Sequence, residues 1–402
     1  MLSLSLSSAA VFGAASTTGA SAPTYSKNVA RILNERCVEC HRAGEIAPMA
    51  FTNYKEVRPW AKAIKDRVAN RAMPPWLADP AHGQFKNDRR LSDQELSTIS
   101  AWVAAGAPEG DPSDLPPAPT FETGWNIGKP DQVFDIGKDY EVPAEGTIAY
   151  QYFRVPTNFT EDKWIQAAEI RPDKRGVVHH IIVFIQEPGK SNAVGGEGGS
   201  LLVGWAPGDP ALKLEAGTGR LVKAGSTLVF QVHYTTNGKP ATDRSYIGLK
   251  YSSEPPKYRA LTGRALNFAF KIPAGAPNHE VKSSWTAKED VELAGLMPHM
   301  HVRGKDFKYT VVYPDGREQV ILSVPKYDFN WQLSYELKEH MKLPKGTRID
   351  CVAHFDNSPN NKYNPDPTKE VKWGDQTWEE MMIGWFTYTV PAQAEQQRAS
   401  LQ

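Results

Sequence analysis

Cysteine is scarce: Cys37, Cys40 and Cys351 are the three in a chain of 402 residues. Two of them sit in Cys37-Val38-Glu39-Cys40-His41. If that pair is used there, Cys351 is left alone and no intrachain disulfide can form. The fold must then rest on burial, which a chain of this length can supply. An excess of either charge is also lacking, with 46 Lys and Arg against 46 Asp and Glu. That balance carries no signal for a nucleic-acid or anionic-membrane partner. No apolar run is long enough to span a bilayer as a helix, so no transmembrane segment is expected. Residues 1–22 have no Lys or Arg, the first being Lys27. They read either as the apolar and cleavage regions of a signal peptide without its basic start, or as a disordered tail.

What the chain has in quantity is Gly and Pro, 31 of each, and 11 Trp, which fits a turn-rich β protein. From Val133 onward, short apolar runs are broken by Gly, Pro, Asn and Asp. Ile148 to Val155, Val177 to Ile185, Leu228 to Tyr234, Ile247 to Tyr251, Phe307 to Val312 and Arg348 to His354 are such runs. This is the pattern of β-sandwiches rather than of alternating βαβ units. Glu254-Pro255-Pro256-Lys257 interrupts a strand and marks a boundary between two of them.

The N-terminal part reads differently. Ser26 precedes Val29, Ile32 and Leu33, spaced as one face of a short helix. Cys37-Val38-Glu39-Cys40-His41 then has the form of a c-type haem attachment. Two thiols three apart can add to the two vinyl groups of one haem, and His41 supplies an imidazole to the iron. A redox Cys pair or half of a zinc site are the competing readings. The sixth ligand would be Met73, ahead of Pro74-Pro75-Trp76, or Met49, eight residues after His41. Ser92 and Glu95 form a capping box ahead of Leu96, Ile99, Trp102 and Val103 at helical spacing, and Gly106 ends that helix. This module resembles small class I cytochromes c, and Met73 fits their axial methionine better than Met49. Ala107 to Thr120 holds five prolines and reads as a stiff linker.

Histidines supply the other chemistry. His299 and His301 are two apart on a segment of strand character, so both face one side of a sheet. His233 lies in Phe230-Gln231-Val232-His233-Tyr234. His179 and His180 are adjacent, and share one metal only if their strand is bulged or ends there. Met381, or its neighbour Met382, offers a thioether near the C-terminus. Imidazole with thioether suits copper, and the sulfur favours Cu(I).

The adjacent His pair, the Gln-Val-His-Tyr strand, His-x-His-x-x-Gly-Lys and Glu380-Met381, in that order, resemble the ascorbate-dependent type II copper monooxygenases. Peptidylglycine α-hydroxylating and dopamine β-monooxygenases are members of that family. The resemblance covers roughly residues 125–392. It implies two sandwiches in series with one copper ion each, an uncoupled dicopper arrangement. His179, His180 and His233 would hold the first copper; His299, His301 and Met381 would hold the second, where O2 is reduced. The resemblance prefers Met381 because the ligand directly follows the Glu. In the family a cysteine follows that methionine and pairs with an earlier one; here Met382 and Cys351 stand at those places, so packing must brace the loop. Where the peptide enzyme anchors a carboxylate with arginine, this chain has Met297; Ile383 and Trp385 replace two polar substrate contacts, while Gln231 is retained. A small apolar substrate is therefore expected rather than a glycine-extended peptide.

The expected architecture is multidomain: a small all-α cytochrome c domain followed by two all-β sandwich (jelly-roll) copper domains. Residues 1–22 form a leader or tail, 23–106 the haem domain, 107–124 the linker, and 125–258 and 259–392 the two sandwiches. The expected function is a periplasmic or secreted copper monooxygenase that hydroxylates a substrate C–H with O2. It would carry two copper ions and covalent haem c, with electrons from an ascorbate-like reductant or a respiratory carrier. The alternative is a copper- and haem-binding electron-transfer protein without monooxygenase chemistry.

Overall fold

The computed structural model describes residues 22–43, 45, 47–121, 124–190, 199–206 and 209–392. The expected leader therefore lies, but for Ala22, outside the described residues. Two β-sandwiches account for most of the chain. In the first, a sheet of Gln151–Pro156, Thr227–Tyr234, Val178–Gln186 and Gly199–Trp205 faces one built from Gln132–Asp135, Tyr246–Tyr251, Lys163–Arg171 and Thr218–Val222. Between them lies a core that includes Phe153, Ile165, Ile181, Val183, Phe230 and Leu249, each with its side chain on the inner face of its strand.

The second sandwich packs His279–Thr286, Arg348–Phe355, Gly304–Val312 and Glu318–Val324 against Tyr258–Leu266, Ile383–Pro391, Val291–His299 and Tyr335–Leu343. Its core is separate and includes Phe307, Tyr309, Ile349, Phe355 and Phe386. The two sandwiches share a sheet. Tyr258 pairs in parallel with Thr218, and Arg259 with Gly219, so one sheet runs through both halves. The Pro255-Pro256 break thus falls just before the strand that joins them.

The brace expected near Cys351 is made by packing. Cys351 and Met382 are both fully buried in the second core. Ser283 pairs with Cys351 across the sheet, and its Oγ lies 3.1 Å from the Met382 sulfur. A Cβ on Gly384 would meet Cys351 Sγ at 2.5 Å, so glycine is what lets the strand approach the thiol this closely.

The expectation of a small all-α cytochrome c domain is corrected by the structure. Strand accounts for 38% of the described residues and helix for 12%, and the helices are short. They are α1 (Ala30–Arg36), α2 (Tyr54–Val57), α3 (Ala61–Ala69) and α4 (Asp93–Ala104). The capping box is present at the start of α4, with Ser92 and Glu95 bonded reciprocally, and Gly106 beyond its end has φ +86°. These helices share a small core around Leu33, Ile64, Ile99 and Trp102. The stretch between α3 and α4 carries no helix and packs elsewhere. Trp76, Ala78 and Phe85 belong to the core of the second sandwich. Phe85 forms a bridge with Leu337, and Trp76, Phe85 and Tyr335 pack as a trio of T-shaped and tilted rings with centroids 5.0–5.9 Å apart. The physical reason is hydrophobic. The short helices bury little, and the aromatic residues of that stretch gain more area against the sandwich. The Pro-rich stretch after α4 is likewise tied down where it begins, with Pro108 O accepting from Tyr25 N and from Trp102 Nε1.

This docking predicts that Phe85→Ala will destabilise the second sandwich by about 3–5 kcal/mol, the usual effect of emptying a buried Phe site. Urea unfolding followed by near-UV circular dichroism measures it. An unchanged sandwich transition would mean that residues 73–88 only rest on its surface.

Candidate metal centre

His180 and His233 face each other directly on neighbouring strands. The register pairs Val178 with Tyr234 and then His180 with His233, so His179 is an extra residue at that step. This bulge re-aims His179, as two adjacent histidines on one metal require. One ring nitrogen from each of His179, His180 and His233 lies within 4.8 Å of the others. The Nδ1 atoms of His179 and His180 are 3.1 Å apart.

His299 ends its strand, and His301, two residues on, opens the turn that follows, with ring centroids 5.3 Å apart. Their outer partners fix both rings. His299 Nδ1 donates to Gln332 Oε1 at 2.7 Å, and His301 Nδ1 donates to Glu379 O at 3.2 Å. Each ring then presents Nε2 as a lone pair, the arrangement a metal-ligating histidine needs. His299 pairs with Ile383 and Met297 with Trp385 across the sheet. Directly opposed residues share a face, and alternation puts Met381 on that same face. There Met381, Ile383 and Trp385 form a small cluster of their own, with Met297 against it. Met382 points the other way, into the sandwich core, where its sulfur already meets Ser283.

The two histidine sets meet. The Tyr150 ring is 4.8 Å from that of His233, 5.4 Å from His180 and 6.3 Å from His301. Phe329 lies 5.5 Å from His179, 6.2 Å from His233 and 6.0 Å from His301. Four imidazoles from two sandwiches thus lie around these two aromatic rings, and His299 joins them through His301. Burial lowers the pKa of every one of them, His233 to about 3, His299 to about 4, and His180 and His301 well below their ordinary value. Neighbouring imidazoles push His180, His233 and His301 down further, and His180 feels both sets. The rings are therefore neutral at pH 7, with lone pairs available. His180 Nε2, His233 Nδ1 and His301 Nε2 are buried without a hydrogen-bond partner among the described residues. Such groups are rare in folded proteins and ask for an explanation.

The turn that carries His301 is clamped by a buried carboxylate. Glu380 accepts from His301 N at 2.8 Å and from Arg303 N at 2.6 Å. Burial pushes its carboxyl up to about 8, against the pull of those N–H groups and of the Arg303 guanidinium. Arg303, itself buried, donates to Asn357 Oδ1 and to Trp378 O. Trp378 is 45% exposed, so polar bonds rather than packing hold the loop there. His354 is engaged elsewhere, with Nδ1 2.7 Å from Asp306 Oδ1. Sequence reasoning did not find Tyr150, Phe329 or Gln332. None carries a motif, and each acts across the sheets. Glu380 did have a signal, since it directly precedes Met381.

In the N-terminal part, Cys37 follows α1, and both Cys40 N and His41 N donate to Cys37 O. All three cysteines are free. Burial pushes the Cys37 thiol up to about 12 and raises that of Cys40. His41 Nδ1 donates to Met49 O at 3.2 Å, and the ring stacks on Phe51 at 4.3 Å, again leaving Nε2 as the free nitrogen. Met49 packs on the helical core together with Cys37. Met73 follows α3, half-buried, with its N–H donating to Arg67 O.

No family model and no curated protein matches this chain. Among solved structures it is similar to one of the infectious bursal disease virus Gx strain, at 10% identity and TM-score 0.21 over 65% of this chain and 73% of that one. It is also similar to the major capsid protein P2 of bacteriophage PM2, at 9% and 0.25 over 64% and 98%. Allantoicase is a third, at 11% and 0.18 over 62% and 80%. Likenesses this low carry no argument about fold or function.

Glu380→Ala leaves two buried N–H groups without an acceptor, at about 1–3 kcal/mol each. The expected loss of about 2–6 kcal/mol is measurable by chemical denaturation. Metal retention by His299 and His301 should fall with it, while His179, His180 and His233 keep theirs. Wild-type stability in this variant would show that the clamp is dispensable.

Proposed function

We propose that this chain is a copper-dependent monooxygenase, one that hydroxylates a substrate C–H bond with O2. The observation that supports it most is the cluster itself. Five neutral imidazoles, four of them buried and His179 half-buried, converge from two sandwiches, three of them with an unpartnered nitrogen, and a thioether shares the face of His299. That donor set fits copper. Imidazoles bind either oxidation state, and the thioether of Met381 favours Cu(I). Zinc sites instead use nitrogen, oxygen and thiolate donors. Copper held there would supply one-electron redox chemistry and the reduction of O2.

The chain's own residues orient, exclude water and position. Gln332 and the Glu379 carbonyl set the tautomers of His299 and His301. Tyr150 and Phe329 fill the space between the two histidine sets and keep it apolar. Met297, Ile383 and Trp385 make the surroundings of Met381 apolar, which suits a small substrate with an unactivated or weakly activated C–H. Cys37, Cys40 and His41 would hold a covalent haem. His41 is already oriented for it through Met49 O, and the half-buried thiols of Cys37 and Cys40 are free to form thioethers. A haem there would relay single electrons from an external reductant, ascorbate-like or respiratory, in a periplasmic or extracellular setting.

The decisive experiment is reaction of the copper-loaded full chain with labelled O2 and a reductant, followed by a search for label in the product by mass spectrometry. Copper uptake without any labelled product would leave an electron-transfer or copper-binding protein. Variants sharpen this. His233→Ala and His301→Ala should each lose one copper ion. Met381→Ile should keep Cu(II) at His299 and His301, retain Cu(I) poorly, and lose most O2 consumption. Met382→Ile should keep both activities and lose about 1 kcal/mol of stability from core repacking. The reverse outcome for the two methionines would move the sulfur ligand by one residue.

A further inference from the structure

A second feature lies beside this centre. A cavity of about 190 Å³ opens between the sandwiches, walled by Leu202 and Arg220 from the first and by Ala260, Thr262, Met297 and Trp385 from the second. Its mouth is ringed by Lys86, Glu215, Glu336 and His340. Ion pairs of 3.5–3.6 Å link Lys86 to both glutamates, and His340 Nε2 lies 3.4 Å from a Glu215 oxygen. Most of the wall is apolar, and Arg220 brings a cation into it.

Arg220 is 5% exposed. It donates through Nη1 to the carbonyls of Leu201 and Leu202, and its Nε has no partner among the described residues. No carboxylate pairs with it among those residues. Asp209 lines the same cavity, but it accepts from Ala206 N, and burial pushes its carboxyl up to about 7. Burial also lowers the Arg220 guanidinium to about 10, which leaves it cationic at pH 7. A buried charge without a counter-charge is costly, and structural needs do not account for it here, since a neutral donor could serve the two carbonyls. The geometry is that of a fork waiting for a carboxylate at the edge of an apolar chamber.

We propose that this cavity binds a carboxylate-bearing, otherwise apolar molecule, with Arg220 as the partner of its carboxylate. The ligand's apolar body lies against Met297 and Trp385. Those two residues belong with Met381 to one small apolar cluster, so the bound molecule lies against the same cluster as the candidate copper ligand. That it is the substrate rests on the copper reading; that it binds does not.

The test uses the full chain, as purified and again after chelation, titrated calorimetrically with octanoate and with 1-octanol. Octanoate should bind at least about tenfold more tightly than the alcohol, the usual worth of a charge-assisted pair. Arg220→Gln should weaken octanoate by a similar factor and leave octanol unchanged. Arg220→Lys, which keeps the charge and a donor for the carbonyls, should lie between. Ala260→Leu, which fills the cavity without touching Arg220, should weaken both ligands. Equal affinity of the wild type for acid and alcohol overturns the proposal. So does undiminished octanoate binding in folded Arg220→Gln, or in Ala260→Leu should Arg220→Gln not fold. Octanoate binding by a chain that takes up no copper would support this site and sink the copper reading alone.

Discussion

The parallel pairing of Thr218–Gly219 with Tyr258–Arg259 is the contact on which the rest depends. It is only two residues long, yet it makes one sheet of two and so fixes how the sandwiches face each other. Sandwiches joined by a linker alone would be free to hinge, as adjoining domains commonly are. Here the shared sheet brings the strand ends that carry His180 and His233 against the turn that carries His301. Tyr150 and Phe329 fill the seam. The cavity beside Arg220 is a product of the same seam, with walls drawn from both halves.

Much of this was legible in the sequence where the signal is local. Alternation and turn residues announced the strands, and Ser92 with Glu95 announced the start of α4. The spacing of His299 and His301 announced neighbouring rings, although the strand ends at His299 and His301 lies beyond it, and the adjacency of His179 and His180 called for a bulge or a strand end, of which the register contains the bulge. What was not legible acts across the fold. Tyr150 lies 29 positions before His179 and touches both histidine sets. Gln332 sets the tautomer of His299 from a separate loop. The helical reading of residues 23–106 failed for a related reason. The Cys-x-x-Cys-His motif and two amphipathic stretches are local and suggested an independent domain, but Trp76 and Phe85 between them find their burial in a sandwich that begins far downstream.

The loop that carries Met381 shows how one structural task passes between kinds of interaction. A disulfide would have restricted the unfolded chain and fixed the loop in one bond. Instead, Cys351 and Met382 fill that volume as buried apolar groups, and Gly384 lets the strands close over them. Packing of this kind stabilises but does not aim a side chain. Aim comes from Glu380, whose two oxygens hold His301 N and Arg303 N, and from Arg303, which reaches back to Trp378 O. The apolar part sets how firmly the loop is seated, and the polar part sets where His301 and Met381 point.

This division bears on why the centre tolerates so many neutral rings. An unpartnered buried nitrogen costs about 1–3 kcal/mol. Three of them in one seam, at His180, His233 and His301, would take a large fraction of the stability of an ordinary domain. The surrounding cores, one in each sandwich, can carry that burden because they are extensive and independent of the seam. A cation bound by those nitrogens would relieve the burden only in the folded state, so occupancy and stability would be linked by mass action. The seam is then the part of the molecule least stable by itself and most stabilised by what it binds. That is the expected condition of a binding site built at a junction, and a cation held there would lie between the two cores rather than within either.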